Sequence, residues 1–460
     1  MRQKSIQLAL NWEDKGEARV NSGRGIEVQT ASTTQVSLAH DLMEAVVAAG
    51  NMRSALRKVR SNKGSPGVDG MTVEQLGEHL MIAWPKLREN LLADEYKPSP
   101  IRRVDIPKPD GGTRQLGIPT VVDRLVQQAL LQVLEPLYDP TFSPNSYGFR
   151  PGKSAHQALE AAKQHVAAGY NWVVDMDLEK FFDRVNHDIL MGRLARRIGD
   201  KRVLRLIRHY LQAGIMVDGV VMPRDEGTPQ GGPLSPLLAN ILLDDLDKDL
   251  EQRGHRFCRY ADDCNIYVQS ERAGQRVMAS VTEYLERKLK LRVNQDKSAV
   301  ARPKARKFLG QRVLGGSTHT YLGIHPKSVL RAKKRIRLTT KRNRGASLEQ
   351  VLRELGQFTN GWVNYHRYTR CSTLLKQMDE WIRRRLRVYI WKQWKTWRNR
   401  GLQMRKLGVP RFLAYGVAHK NEGPWKSAGT PAMTRAFPNA RFTEMGFRSL
   451  HERYVKLNPA

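Results

Sequence analysis

Residues 257–268 read Phe-Cys-Arg-Tyr-Ala-Asp-Asp-Cys-Asn-Ile-Tyr-Val, with two adjacent acids at the centre of an apolar run. Aromatic and β-branched residues on both sides favour strands, so the segment is expected to fold as a β-hairpin with Asp262 and Asp263 at its tip. Two neighbouring carboxylates cannot neutralise each other, and together they need a cation. Upstream, Asp177 follows the apolar run Val173-Val174-Asp175-Met176 and so ends another expected strand. A sheet that sets Asp177 beside Asp262 would build the carboxylate cradle of a two-metal phosphoryl-transfer site. Acid pairs are also common in surface turns, so the reading depends on the rest of the chain.

Charge narrows the choice of partner. Lys and Arg number 78 against 45 Asp and Glu in 460 residues, a formal charge of +33. Such an excess is unfavourable for a compact fold unless a polyanion neutralises it. Nucleic acid is the usual polyanion, and its binding weakens with salt. No apolar run approaches the roughly 20 residues of a membrane-spanning helix, and no signal-peptide core is visible. The three cysteines, Cys258, Cys264 and Cys371, form no Cys-x-x-Cys pair. That excludes a disulfide framework and a zinc module, and suits a reducing cytosol.

The remaining segments supply the context. Residues 1–35 are polar and are expected to be a flexible tail. Helical patterns follow from His40 to a turn at 62–70, and again over 73–92. Two short alternating runs surround Pro109-Asp110-Gly111-Gly112, a strong hairpin signal, and carry Lys108 and Arg114. Cations on such a hairpin can clamp a triphosphate; a merely solvated hairpin is the plainer alternative. A helix is expected over Val121–Leu137, another capped by Asn186, and a third over Val203–Leu211. In Gly227-Thr228-Pro229-Gln230-Gly231-Gly232-Pro233, Gly and Pro let the backbone pass close to a ligand, and Gln230 can reach a nucleotide sugar or base. Ser235 is expected to cap the next helix, with Pro236 in its first position. Residues 326–400 read as basic helices. Arg383, Arg384 and Arg387 lie beside Trp381, Trp391 and Trp394, which suits a helix packed on one face and gripping phosphates with the other.

Taken in order, several segments resemble a known family: Gly64 to Gly70, Arg114 to Pro119, Tyr147 to Gly152, Asp177 to Phe182, Gln230 to Pro236, Tyr260 to Asp263, and Phe308-Leu309-Gly310. They resemble the bacterial group II intron-encoded reverse transcriptases/maturases, most of all the compact class IIC type without an endonuclease domain. Gly361 to Arg367 and the Trp381 to Arg387 helix resemble that family's maturase-specific thumb. The resemblance spans about residues 40–460. It implies an α+β right-hand polymerase with fingers, a palm built on an antiparallel sheet, an α-helical thumb, and a small basic C-terminal domain. Fingers and palm would occupy residues 36–325, the thumb 326–400 and the basic domain 401–460.

By the same resemblance, Asp177 and Asp262 would be metal ligands for two Mg²⁺ ions, with Asp263 beside them. Lys108, Arg114, Gln230, Gly231 and Lys297 would bind the incoming deoxynucleoside triphosphate. Phe182 sits where an aromatic ring excludes a 2′-hydroxyl, and Phe308, Leu309 and Gly310 where the family grips the primer. Asp175 has no matched role and reads as structural. The implied partners are intron RNA, an RNA template with a DNA primer, and a DNA target. The setting would be the bacterial cytoplasm at the nucleoid, with no membrane and no zinc. An RNA-dependent RNA polymerase would share the paired acids but not Phe182 or the maturase-like thumb. A non-catalytic splicing factor would have no need of Asp177, Asp262 and Asp263. A retron-type or defence-associated enzyme would lack the Trp362 to Trp397 region.

Overall fold

The computed structural model describes residues 39–107, 111–217, 220–222, 226–228, 231–316, 319–420 and 422–459. The expected tail, Lys108 and Gln230 therefore lie outside the described residues. The chain forms two compact units that divide between Arg302 and Pro303.

The strands of the first unit are β1 (Ile101–Pro107), β2 (Thr113–Ile118), β3 (Trp172–Met176), β4 (Ile215–Val217), β5 (Val220–Met222), β6 (Arg256–Tyr260), β7 (Asp263–Val268) and β8 (Ala299–Ala301). They build two four-stranded sheets. One has the order β2-β1-β4-β5, the other β6-β7-β3-β8, and every pairing in the second is antiparallel. The second sheet is covered by the Ala155–Ala167, Ser235–Gln252 and Glu271–Lys288 helices, and the other helices of the unit pack on one another by apolar stripes. The Val121–Tyr138 helix buries Leu125, Val126, Ala129, Leu130 and Leu134, a recurrence at three and four residues that puts them on one side. Its N-terminus is capped by Thr120, whose hydroxyl accepts from the Asp123 N–H. Asn186 caps the His187–Leu194 helix in the same way, accepting from Ile189.

Two boundaries differ from the sequence reading. The pattern beginning near His40 is two helices, Leu42–Val47 and Ala49–Ser61, because Ala48 is extended (φ −56°, ψ 137°). Ser235 is the first helical residue rather than the cap: the Leu234 carbonyl already accepts from Leu237 and Leu238, and Leu234 is itself helical.

The second unit opens with the hairpin β9 (Gln311–Gly316) and β10 (His319–Ile324), followed by the helices Pro326–Thr339, Leu348–Tyr365, Ser372–Gln393 and Trp397–Lys406. Shorter helices at Arg411–His419, Pro424–Ser427, Pro431–Ala436, Asn439–Glu444 and Leu450–Leu457 complete it. One hydrophobic core runs through all of it, from Ile324 to Leu450. Buried Asp379 locks the last helix to the long one: it accepts from Ser449 Oγ (2.7 Å) and from the N–H groups of Leu450 (2.9 Å) and His451 (3.0 Å). The expected divisions at 325 and 400 mark changes of composition. By contact, residues 303–460 form one unit, and the core that begins at Ile324 takes in residues from 401–460.

Candidate active site

The catalytic hairpin is as tight as a hairpin can be. Tyr260 pairs with Asp263, so the loop is only Ala261 and Asp262. Ala261 takes φ +57°, a left-handed conformation uncommon for a residue with a Cβ. Strain of this kind persists only where the surroundings over-determine it, and it gathers at functional sites. β3 lies antiparallel to β7 with Met176 opposite Cys264, so Asp177 leaves its strand at the hairpin tip. The backbone of Asp177 is fixed on both sides. Its N–H donates to Ser298 Oγ (3.0 Å), and its carbonyl accepts from the Asn294 N–H (2.8 Å).

Strand pairing sets both acids at the same end of the sheet, close enough for the charge of one to act on the other. Burial pushes the Asp262 carboxyl above the ordinary aspartate range, and the facing charge of Asp177 pushes the same way. The Asp262 backbone N–H and the cations of Arg114 and Arg259 pull it back. Desolvation and a like charge both disfavour the ionised form, so a metal cation is the partner that would restore it. Lys297 Nζ stands 3.6 Å from Asp177 Oδ1. Asp263 begins β7 and is exposed. Asp175 is held as a structural residue: Asn265, with its amide nitrogen toward Asp175, donates to Oδ1 at 2.9 Å.

What holds the strained turn is a buried polar network that the sequence reading missed. Arg259 is 1% exposed. Its Nε donates to Asp247 Oδ1 (2.7 Å), and its Nη1 to Asn240 Oδ1 (2.9 Å) and to the Ala261 carbonyl (3.0 Å). Asn240 in turn donates to the Gly148 carbonyl (2.9 Å). Gly148 lies so close to the turn that a Cβ there would stand 2.3 Å from the Ala261 nitrogen, which is why Tyr147 and Phe149 must flank a glycine. The available signal was a charged residue sharing the Phe257 face of an otherwise apolar strand.

Several residues expected to bind the nucleotide also fall in this unit. Arg114 lies on β2, opposite Ile106 of β1. Phe182 is 9% exposed and meets Phe181 edge-on at 5.1 Å between ring centroids. Its carbonyl accepts from the Thr228 N–H (2.6 Å), which brings the Gly-rich loop against it. Further along that loop Gly231, at φ +128°, passes over the Gly117 carbonyl of β2. Asp177, Asp262, Arg114, Phe182, Gly231 and Lys297 therefore share one unit, while Lys108 and Gln230 fall outside the described residues.

The expected primer-contacting segment belongs to the second unit. Phe308 and Gln311 exchange both backbone hydrogen bonds at 2.9 Å, so Leu309 and Gly310 form a two-residue turn. Both have positive φ (+48° and +81°), as a type I′ turn requires. Two side chains the sequence reading did not single out brace it: Tyr365 donates to the Leu309 carbonyl and Ser328 to the Gly310 carbonyl, each at 2.7 Å.

The arginines expected to grip phosphates are half-buried and partly engaged. Arg384 donates to the Trp425 carbonyl (3.0 Å) and lies over the Trp425 ring at 4.4 Å. Arg387 donates to the Phe437 carbonyl (2.9 Å) and lies over the Phe442 ring at 5.5 Å. Both fasten the C-terminal helices to the long helix, a structural role the sequence reading did not assign. Burial, with Arg383 and Arg384 nearby, pulls the Arg387 guanidinium below its usual range.

Paired carboxylates at the end of an antiparallel sheet, within the field of a hairpin cation, are the arrangement of the palm of a right-hand polymerase. Residues 106–313 match the family described as reverse transcriptase (RNA-dependent DNA polymerase), and residues 329–408 match the group II intron, maturase-specific domain. Protein YkfC of Escherichia coli (strain K12) is 36% identical over 289 residues, 54% of this chain and 76% of that protein. Group II intron-encoded protein LtrA of Lactococcus lactis subsp. cremoris is 38% identical over 208 residues, 45% of this chain but only 34% of LtrA. Among solved structures, the partial Cas6-RT-Cas1–Cas2 complex aligns with TM-score 0.36 and 25% identity over 54% of this chain and 43% of that one, too loosely to carry an argument. The chain belongs to the group II intron-encoded reverse transcriptases/maturases, a family of RNA-directed DNA polymerases. No helix among the described residues is long and apolar enough to cross a membrane.

Proposed function

We propose that this protein copies RNA into DNA by two-metal phosphoryl transfer and binds the RNA of its own intron to assist splicing and mobility. The reading is supported by the placement of Asp177 and Asp262 at one end of the sheet, where burial and the like charge of Asp177 leave Asp262 in want of a cation. Among the described residues no three or more His, Cys, Asp or Glu side chains gather to hold a metal. The protein's donors would be the carboxylates of Asp177 and Asp262. That fits Mg²⁺, which keeps several waters and takes its remaining oxygens from substrate phosphates. When bound, Mg²⁺ at Asp177 and Asp262 would activate the primer 3′-hydroxyl and offset charge on the triphosphate.

The protein's own groups would do the rest. Attack of the 3′-oxygen on the α-phosphorus joins the nucleotide and expels pyrophosphate. Arg114 and Lys297 would offset charge on the triphosphate, helped by Lys108 of the same hairpin. Gln230 and Gly231 would line the sugar and base. Phe182 would bar a 2′-hydroxyl, and Phe308, Leu309 and Gly310 would steady the primer end. Asp263 would support the metal ligands from beside them. The helical residues 326–400 and basic residues 401–460 would serve as thumb and nucleic-acid-binding region, and the DNA target would be met there. The setting would be the bacterial cytoplasm, at the nucleoid.

The test is primer extension on an RNA template with Mg²⁺, comparing deoxyribonucleotides with ribonucleotides and scored beside intron RNA binding. Extension restricted to deoxyribonucleotides is expected. A folded protein that binds the RNA but extends nothing would be a splicing factor alone.

A further inference from the structure

A cleft in the second unit, lined by none of the residues given a site role above, has the chemistry of a binding site. It lies between the Trp397–Lys406 and Arg411–His419 helices and encloses about 1060 Å³. The two helices are joined by a Schellman turn: the Val409 N–H donates to the Met404 carbonyl (3.1 Å) and the Gly408 N–H to the Arg405 carbonyl (2.9 Å), with Gly408 at φ +84°. Pro410 then starts the second helix. The Tyr415 ring rests directly on Gly401, so the helices approach closely at that end.

The walls are aromatic. Trp397 meets His419 with ring centroids 3.8 Å apart and Tyr415 edge-on at 6.4 Å. Phe412, Tyr415 and His419 fall three and four residues apart, a single stripe of their helix. Large apolar area in the cleft stays open to solvent: Phe412 is 75% exposed, Leu402 43% and Trp397 39%. The cations are placed with the rings. Arg398 lies over the Trp397 ring at 5.4 Å, and Arg411 lines the cleft beside Phe412. Among the described residues no acid lines it, and none occurs in the sequence from Trp381 to Asn421.

We infer that this cleft binds unpaired nucleotides, whose bases stack on the open ring of Phe412 while Arg398 and Arg411 meet their phosphates. Open ring faces beside cations, without a neighbouring carboxylate, are how single-stranded nucleic acid is held, because every base offers a π-face whatever the sequence. A paired base is already stacked above and below, and its face cannot reach Phe412. An apolar protein helix would fill a cleft of this size, but it would leave Arg398 and Arg411 without counter-charge. The inference deepens the nucleic-acid reading above and rests on it. Primer extension by the unaltered chain, scored separately, distinguishes a failed polymerase reading from a failed cleft.

The experiment uses the full chain with a labelled oligouridylate of about 12 nucleotides, within the span one such site covers, and an RNA duplex of equal length. Phe412→Ala should weaken the single strand about tenfold, the size of one stacking interaction, and leave the duplex unchanged. The salt dependence should keep its slope, since no charge is removed, whereas Arg411→Gln should flatten it by about 0.7. An oligomer carrying 5-iodouracil should photocrosslink within residues 396–419, which needs no variant to fold. Unchanged single-strand affinity in Phe412→Ala overturns the inference, as does equal loss for both ligands. So do crosslinks that map elsewhere, or a variant altered only in self-association by sedimentation, which would assign the face to protein contact.

Discussion

Buried arginine does two different jobs in the two units. In the first, Arg259 is matched by the equally buried Asp247, and its remaining donors go to Asn240 and the Ala261 carbonyl. Its charge is neutralised at home, and the result is geometry: a strained two-residue turn held still at the catalytic tip. In the second unit, Arg384 and Arg387 bond to main-chain carbonyls and lie over aromatic rings, and Arg385 donates to Thr340 Oγ1 (2.6 Å). Carbonyls and rings satisfy donors without cancelling charge, so this unit keeps a positive field that a polyanion can use. The lesson is that an arginine's partner, rather than its burial, tells whether it positions or attracts.

The largest expected effect belongs to the acids that the first kind of arginine serves. Asp262→Asn should slow primer extension roughly a thousandfold or more while RNA affinity stays near that of the unaltered chain. Because folding raises the Asp262 pKa, the ionised form costs stability, and that cost grows as pH climbs from the unfolded aspartate value through the raised one. The neutral asparagine should therefore melt no lower than aspartate in Mg²⁺-free buffer. Near-normal extension by the variant would show that the acids do not meet at the reaction.

Arg259→Ala breaks the matched pair and leaves Asp247 buried and alone. A destabilisation of about 3–5 kcal/mol is expected, read from denaturant melts of the full chain. Asn240→Ala is the gentler probe, since it removes one arginine partner and the hydrogen bond to Gly148 but keeps the ion pair. It should slow extension without moving the affinity for primer–template. If it changes neither stability nor rate, the turn holds itself.

Sugar choice tests the same unit at smaller scale. Phe182→Val should raise ribonucleotide use relative to deoxyribonucleotide by roughly tenfold, compared as ratios of kcat/KM. An unchanged ratio would make Phe182 core packing only, a role its edge-on meeting with Phe181 already gives it in part.

The smallest effects lie in the second unit and bear on the contrast directly. Changing Arg383, Arg384 and Arg387 together to Gln should weaken intron RNA binding and flatten the salt dependence by up to about one unit for each phosphate left without its cation. Each missing bond to a carbonyl should also cost the fold about 1 kcal/mol. A lower melt with unchanged salt slope would move these arginines into the class of Arg259.

Much of the first site was legible because its chemistry is local. Adjacent acids between apolar runs predict a hairpin tip; the turn proves to be Ala261 and Asp262, with Asp263 already paired in the strand. Asn186 and Thr120 cap helices by reaching bonds two or three residues on, so those starts are visible in sequence. The bracing of the site was not legible. Arg259 and Asp247 lie 12 residues apart, and Asn145, Tyr147 and Gly148 reach the hairpin from another part of the chain. Tyr365 meets Leu309 across 56 residues.

The sequence by itself settled composition-driven matters: a polyanion partner, strand ends carrying acids, a hairpin carrying a cation, and basic helices rich in Trp. Tertiary structure decided which of many cations would be neutralised. It drew the boundary at 302, gave residues 401–460 a share in the core that begins at Ile324, and turned Arg384 and Arg387 inward. The physical reason is range. Propensity, capping and like-charge repulsion act within a few residues, whereas burial and hydrogen-bond satisfaction depend on whichever distant segment closes over the group.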